Sequence, residues 1–411
     1  WLEALPPELT RARPRLALLR ARIHNAAHEL ELAEACLADV ARAAEAVGDP
    51  ADAAALALEA TVLGASVAVN RNDLGRAFAL ARQALAALPP DELRLRAEAL
   101  LTLGLAHSFA GEIAPAQQAF EGAWPLADAA GDMHTALYCL ANQGVIELQR
   151  GELLRAGQIF ERGLALAEAR SVGLMPVVGQ ILANYAELLC ERNELALAAE
   201  MAGRAIAHSE QTGATRQLMI GLAQQAWVRV AWGDAAGAAE LLDQAERLVI
   251  ASKLPVSYAA LVSLVRVQLW LAQGQLAAAE GWARERGLRP DGPLDSLNGL
   301  DYTAYARVLI AGGQHAQASA LLDRLWEQAA AADRRWRMVT VLALRTMASH
   351  GAGDREGALA HLAAALDLAA GRGFGRTFVD EGPAMAELLR EARARAIHPD
   401  YCAELLAAFP P

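Results

Sequence analysis

Aromatic residues make up only 5% of the 411-residue chain, and there are four cysteines. Cys36, Cys139, Cys190 and Cys402 lie far apart without a paired motif, which fits a reduced, cytoplasmic setting better than a disulfide scaffold. Positive charge is short as well, with 37 basic residues against 48 acidic ones and a net charge of −11. A duplex-binding surface needs a basic face, so no direct nucleic-acid contact is expected from this segment. No stretch approaches eighteen uncharged apolar residues, so no membrane span is expected. No window alternates β-branched residues as strands do. The phosphate loop G-x-x-x-x-G-K-[ST] is missing, and so are Ser-x-x-Lys, Gly-x-Ser-x-Gly and His-Glu-x-x-His. His24 and His28 are four apart beside Glu29, but no third ligand is near, and they read as a solvated helix end. Asp380 and Glu381 read as acids favouring the dipole of a helix that starts near Pro383. The chain is not expected to be an enzyme, and neither a metal nor a cofactor is expected on it.

Apolar residues are plentiful at 55%, and alanine and leucine, both strong helix formers, carry most of that share. A turn marker recurs about every forty residues: Asn72, Gly111, Gly151, Asn193, Gly233, Gly274, Gly313 and Gly353. Five residues after each comes alanine, at Ala77, Ala116, Ala156, Ala198, Ala238, Ala279, Ala318 and Ala358. Seven residues before each stands a mostly small residue: Ala65, Gly104, Gly144, Ala186, Ala226, Val267, Ala306 or Thr346. Small residues on both sides of a tight turn let two antiparallel helices approach closely. The pattern predicts an all-α solenoid, a right-handed superhelix of about nine helical hairpins.

The expected organisation is a degenerate capping hairpin over 1–48, eight repeats over 49–371, and a helical cap over 372–411. Asp91 and Asp132 stand where helix N-caps belong. The order Gly144, Gly151-Glu152, Ala156, Phe160, Gly163 resembles the tetratricopeptide pattern position by position, and so does Gly104, Gly111-Glu112, Ala116, Phe120, Ala123. HEAT units are the alternative. Arg286 and Leu325 replace the last small residue in repeats six and seven, so looser or re-oriented packing is expected there.

Both ends carry further motifs. Trp1-Leu2-Glu3-Ala4-Leu5-Pro6 and Arg13-Pro14-Arg15-Leu16 stand at the start. Gly373-Phe374-Gly375-Arg376-Thr377-Phe378-Val379-Asp380-Glu381-Gly382-Pro383 stands near the end, followed by Met385, Leu388-Leu389, Tyr401, Leu405-Leu406 and Ala408-Phe409. Together they resemble the tetratricopeptide-like sensor domain of large ATP-dependent LuxR-type transcriptional regulators, the family typified by the maltose-regulon activator. The resemblance implies an inducer-sensing superhelix between an ATP-binding module and a DNA-binding helix-turn-helix. It makes the chain, which opens on tryptophan, look like a piece of something longer. The implied partners are a small-molecule inducer, other domains of the same regulator, and a regulatory protein or second copy.

First helices line the inner surface of such an array, so register selects the lining residues. Nine residues before the marker, repeats three to five carry Asn142, Asn184 and Gln224. Six residues before it, repeats four to seven carry Glu187, Trp227, Gln268 and Arg307, while Tyr138 and Gln180 lie one turn earlier than the amides. A few polar groups against apolar walls suit a small-molecule site. The alternative is that these amides bond neighbouring helices. Trp232 and Trp270 lie off the stripe and read as packing residues. A docking scaffold for a partner protein or peptide is the competing function.

Overall fold

The computed structural model describes residues 13–44, 49–252, 256–294 and 298–409. The opening motif Trp1–Pro6 therefore lies outside the described residues. Among these, every regular element is a helix and no strand occurs. The chain divides into two compact units, Trp1–Gln143 and Gly144–Pro411.

The first unit contains α1 (Pro14–Ala26), α2 (Leu30–Ala44), α3 (Pro50–Asn70), α4 (Leu74–Ala87), α5 (Leu93–Ala110) and α6 (Ile113–Ala129). The division falls within α7 (Met133–Gln149). The second unit continues with α8 (Leu153–Ala169), α9 (Pro176–Glu191), α10 (Leu195–Thr212), α11 (Thr215–Ala231) and α12 (Ala235–Ala251). There follow α13 (Val256–Ala272), α14 (Leu276–Glu285), α15 (Gly299–Ala311), α16 (His315–Ala331), α17 (Arg335–Gly351) and α18 (Arg355–Ala369). The short α19 (Arg376–Val379), α20 (Pro383–Ala394) and α21 (Pro399–Ala407) close the chain.

All eight turn markers adopt positive φ, from 61° at Asn72 and Asn193 to 82° at Gly111 and Gly353. Only glycine and asparagine occupy that region at little cost. In each turn the residue after the marker donates its N–H to the carbonyl five residues back, as Asp234 does to Arg229 at 2.9 Å and Glu194 to Leu189 at 2.9 Å. This bond closes the orphan carbonyls of the first helix. The next helix starts at once, and Asp73, Asp234 and Asp354 cap it by accepting from the amides of Arg76, Gly237 and Gly357.

The eight alanines after the markers are all fully buried. Small residues before the markers meet large ones from the second helix: a methyl group on Gly104 would collide with the Phe120 ring, and one on Gly144 with the Phe160 ring.

Five local expectations need correction. Leu325 does not loosen repeat seven, because it is fully buried among Leu309, Leu321, Val341 and Leu344. Arg286 falls at the end of the short α14, where it pairs with Asp301 at 3.4 Å and bonds Ser263 at 3.0 Å. Trp232 is half exposed at the end of α11 and packs little, whereas Trp270 sits against Ala279 and Val308 as expected. Asp132 caps through Thr135, but the cap position of α5 is held by Glu92, not Asp91. His24 is buried with its Nδ1 2.6 Å from Glu29, so it is no solvated helix end. By length and composition α3 alone among the described helices could cross a membrane; Asp52 and Glu59 interrupt it, and its Val62–Val69 face is buried in the first unit.

Candidate functional site

Asn142 and Tyr138 belong to the first unit, where Asn142 Nδ2 donates to the Tyr138 carbonyl at 2.8 Å and the Tyr138 ring leans on His134. The other seven selected residues lie in the second unit. Gln180, Asn184 and Glu187 are on α9, Gln224 and Trp227 on α11, Gln268 on α13 and Arg307 on α15.

Two of these seven reach the C-terminal segment. Trp227 Nε1 donates to Asp380 Oδ2 at 2.9 Å, across 153 residues of sequence. Arg307 Nη2 pairs with Glu381 Oε1 at 2.8 Å, and both side chains are nearly sealed, at 11% and 9% exposed. Asp380 and Glu381 are thus bound by the inner helices rather than placed to serve the α20 dipole. Their orientation follows from Gly382, which turns the chain at φ 78° before Pro383 opens α20.

Other residues complete the anchorage. Glu191 Oε1, at the end of α9, accepts from the amides of Gly375 at 3.2 Å and Thr377 at 3.0 Å. The chain passes close at Gly375, where a methyl group would press to 3.0 Å on the Glu191 carbonyl. Arg376 bonds Asn193 Oδ1 at 3.3 Å and also pairs with Asp380. Glu152 receives Arg335 at 3.0 Å and Arg372 as well. The Phe374 ring meets Trp336 edge-on at 6.0 Å, and its carbonyl accepts from Tyr401 Oη at 2.8 Å. Register reasoning missed Glu152, Glu191, Asn193 and Trp336. Glu152 and Asn193 had been used up as turn residues, and only the neighbouring Gly-Phe-Gly-Arg motif hinted at a partner.

The electrostatics of this face are unusual. Burial pushes the Glu187 carboxyl up to about 7, although part of the side chain stays open. Burial also raises Glu191 to about 7 against the lowering effect of its two amide donors. Glu381 is raised by burial despite Arg307. Gln224 is 1% exposed, and neither its Oε1 nor its Nε2 has a hydrogen-bond partner. Gln180, Asn184 and Gln268 are part-buried. The arrangement offers donors, acceptors and a titrating carboxyl, which suits recognition.

Fold and site define a helical-hairpin repeat protein of the tetratricopeptide class, with its inner face bound to its own C-terminal segment. The profile of the MalT-like TPR region matches residues 58–395, and the chain belongs to that family. It is 29% identical over 396 residues to the HTH-type transcriptional regulator MalT of Yersinia pestis (strain Pestoides F), covering 95% of this chain and 43% of that protein. The MalT of Serratia proteamaculans (strain 568) is 28% identical over the same extent. The chain thus spans less than half the length of these relatives, which are named as transcriptional regulators and not as enzymes. A crystal structure of a Rap protein complexed with competence and sporulation factor aligns with a TM-score of 0.66 at 11% identity, covering 86% of this chain and 97% of that one. That likeness is one of fold.

Proposed function

We propose that the chain is the effector-sensing region of a cytoplasmic, ATP-dependent transcriptional activator, and that a small-molecule inducer binds the inner face of the second unit. Asn184, Glu187, Gln224 and Gln268 receive it, with Trp227 and Arg307 at the junction with residues 374–382; Gln180 borders the same face. Asn142 and Tyr138 bond within α7 and have the weaker claim. The observation that carries this reading is Gln224, a buried amide with both polar atoms unbonded, on the register next to that of Glu187, whose carboxyl burial raises. A buried amide left unbonded costs about 1–3 kcal/mol, which a ligand hydroxyl or carbonyl would recover.

Inducer binding in this scheme is coupled to the C-terminal segment, because Trp227 and Arg307 hold that segment now. A ligand preferring the released state would shift the population toward it and hand the signal to whatever follows Phe409. ATP binding and operator recognition belong, in this reading, to other parts of the regulator. A thermal-shift screen of the chain against sugars, aromatic acids and alcohols tests the idea, since ligand bound only by the folded state raises Tm. A hit whose shift survives in both Gln224→Ala and Trp227→Phe would place the inducer elsewhere.

The fold shared with a Rap protein that was crystallised with competence and sporulation factor keeps partner docking as the second reading. It gains support from the segment itself, a short stretch around α19 already held by main-chain and charged contacts. A peptide spanning residues 372–383 that binds a chain truncated at Gly371 would favour it.

A further inference from the structure

Contacts between neighbouring repeats in the second unit follow a register. A first-helix residue eight places before its turn marker reaches the residue ten places after the preceding marker, on the second helix before it. Tyr185 Oη donates to Glu161 Oε1 at 2.6 Å, Arg266 Nη2 to Asp243 Oδ1 at 2.5 Å, and Arg345 Nη2 to Asp323 Oδ1 at 2.6 Å. Tyr305 and Arg284 make no such bond, but both places still carry a long side chain.

The pairing of α11 with α10 breaks the pattern. Gln225 stands in the donor's place, and where an acid is due the chain has Gly203. Among the described residues, Gln225 Oε1 is closed off from solvent with no hydrogen-bond partner, and so is Arg229 Nε one turn further along α11. A methyl group on Gly203 would meet nothing within 4 Å. Beside it lies a hollow of about 380 Å³, lined by Ala199 and Gly203 of α10, Gln225 and Arg229 of α11, and Glu240 and Leu241 of α12. That volume falls in the range of small-molecule sites, about 300–1,000 Å³.

The lining selects the chemistry of a ligand. Arg229 is already neutralised, with its Nη1 2.7 Å from Asp234 Oδ2. The Gly237 amide and Arg229 together hold the Asp234 carboxyl below its ordinary value. Glu240 is exposed and unmatched at the rim, which disfavours an anion. Gln225 carries one acceptor and two donor hydrogens on a soft terminal torsion, so its amide turns readily toward the hollow. A second amide pairs with both of its polar atoms at once, N–H to Oε1 and C=O to Nε2. A carboxylate would engage the donor alone. A buried amide oxygen without a donor is costly, and the two-bond pairing removes that cost.

We propose that the hollow between α10 and α12 binds a small molecule carrying an uncharged amide, which pairs with Gln225 and accepts from Arg229 Nε while Leu241 and Ala199 wall its apolar remainder. The ligand takes the place that an acidic side chain fills at the sister junctions. The site lies on second helices, apart from the inner-face reading given above, and does not depend on it.

The test uses this chain with benzamide and its isostere benzoate as probes, followed by saturation-transfer NMR. Benzamide should give a saturable signal and bind at least tenfold more tightly than benzoate. Gly203→Leu fills the hollow and should abolish the benzamide signal. It should melt no lower than the parent, since leucine replaces glycine inside a helix and points into open space. Gln225→Leu should weaken benzamide roughly tenfold and gives a second reading should Gly203→Leu not fold. No saturable signal, equal binding of the two probes, or benzamide binding that survives both variants would overturn the proposal. So would binding lost in Trp227→Phe but kept in Gly203→Leu, because the probe would then sit on the inner face.

Discussion

At Gly144 the space for a side chain is taken by the Phe160 ring, and at Gly104 by Phe120. Gly144→Ala should therefore cost about 1–3 kcal/mol, seen as a lower Tm, while the double variant Gly144→Ala/Phe160→Leu should recover part of the loss. A neutral Gly144→Ala would mean that the two helices are not held at this distance. These contacts were legible in the sequence because steric volume acts locally, within one hairpin. Glu187 was legible only as a polar residue on an inner register. Its consequence is a pH dependence: the folded carboxyl titrates near 7 against an ordinary 4.5. Between those values the folded state holds a proton that the unfolded chain has lost, so this group's contribution to stability falls as pH rises through that window and stays low above it. Glu187→Gln should match the parent near pH 5 and exceed it at pH 8 by about 1–3 kcal/mol. An equal gap in Tm at the two pH values would contradict this.

The eight turns and the alanines after them were legible in the sequence, because turn chemistry and small-residue register act within one repeat. The C-terminal segment was not. Its motif was visible, but Asp380 and Glu381 were assigned to a helix dipole, since nothing local distinguishes that role from ion pairing with a helix many residues away. Arg307→Met should destabilise the second unit by about 3–5 kcal/mol, because Glu381 is left buried and unpaired. Arg307→Met/Glu381→Met should restore most of that loss. Urea unfolding of both variants measures the difference, and equal losses would show that the pair is not what anchors the segment. Hydrogen exchange at residues 375–380 should quicken in the single variant and slow again in the double one.

Repeat arrays gain stability from nearest neighbours, so they can open from an end or in the middle. The second unit departs from that rule, because the C-terminal segment ties α9, α11, α15 and α17 to one another through Glu191, Trp227, Arg307 and Trp336. Opening α9 alone would cost the bonds of Glu191 to Gly375 and Thr377, and opening α15 would leave Glu381 unpaired. The cross-links should make these helices exchange as one cooperative unit, although α9 and α15 are far apart in sequence. Truncation at Gly371 removes every one of these ties while leaving the hairpins from α8 to α18 intact. In the truncated chain, urea unfolding should broaden with a lower m-value, and amides of α9 and α11 should exchange faster than those of α16 to α18. Amides of α9 that stay as protected as in the whole chain would refute the cross-linking role. The same truncation bears on sensing: a face that holds the segment in competition with a ligand should bind that ligand more tightly once the segment is gone.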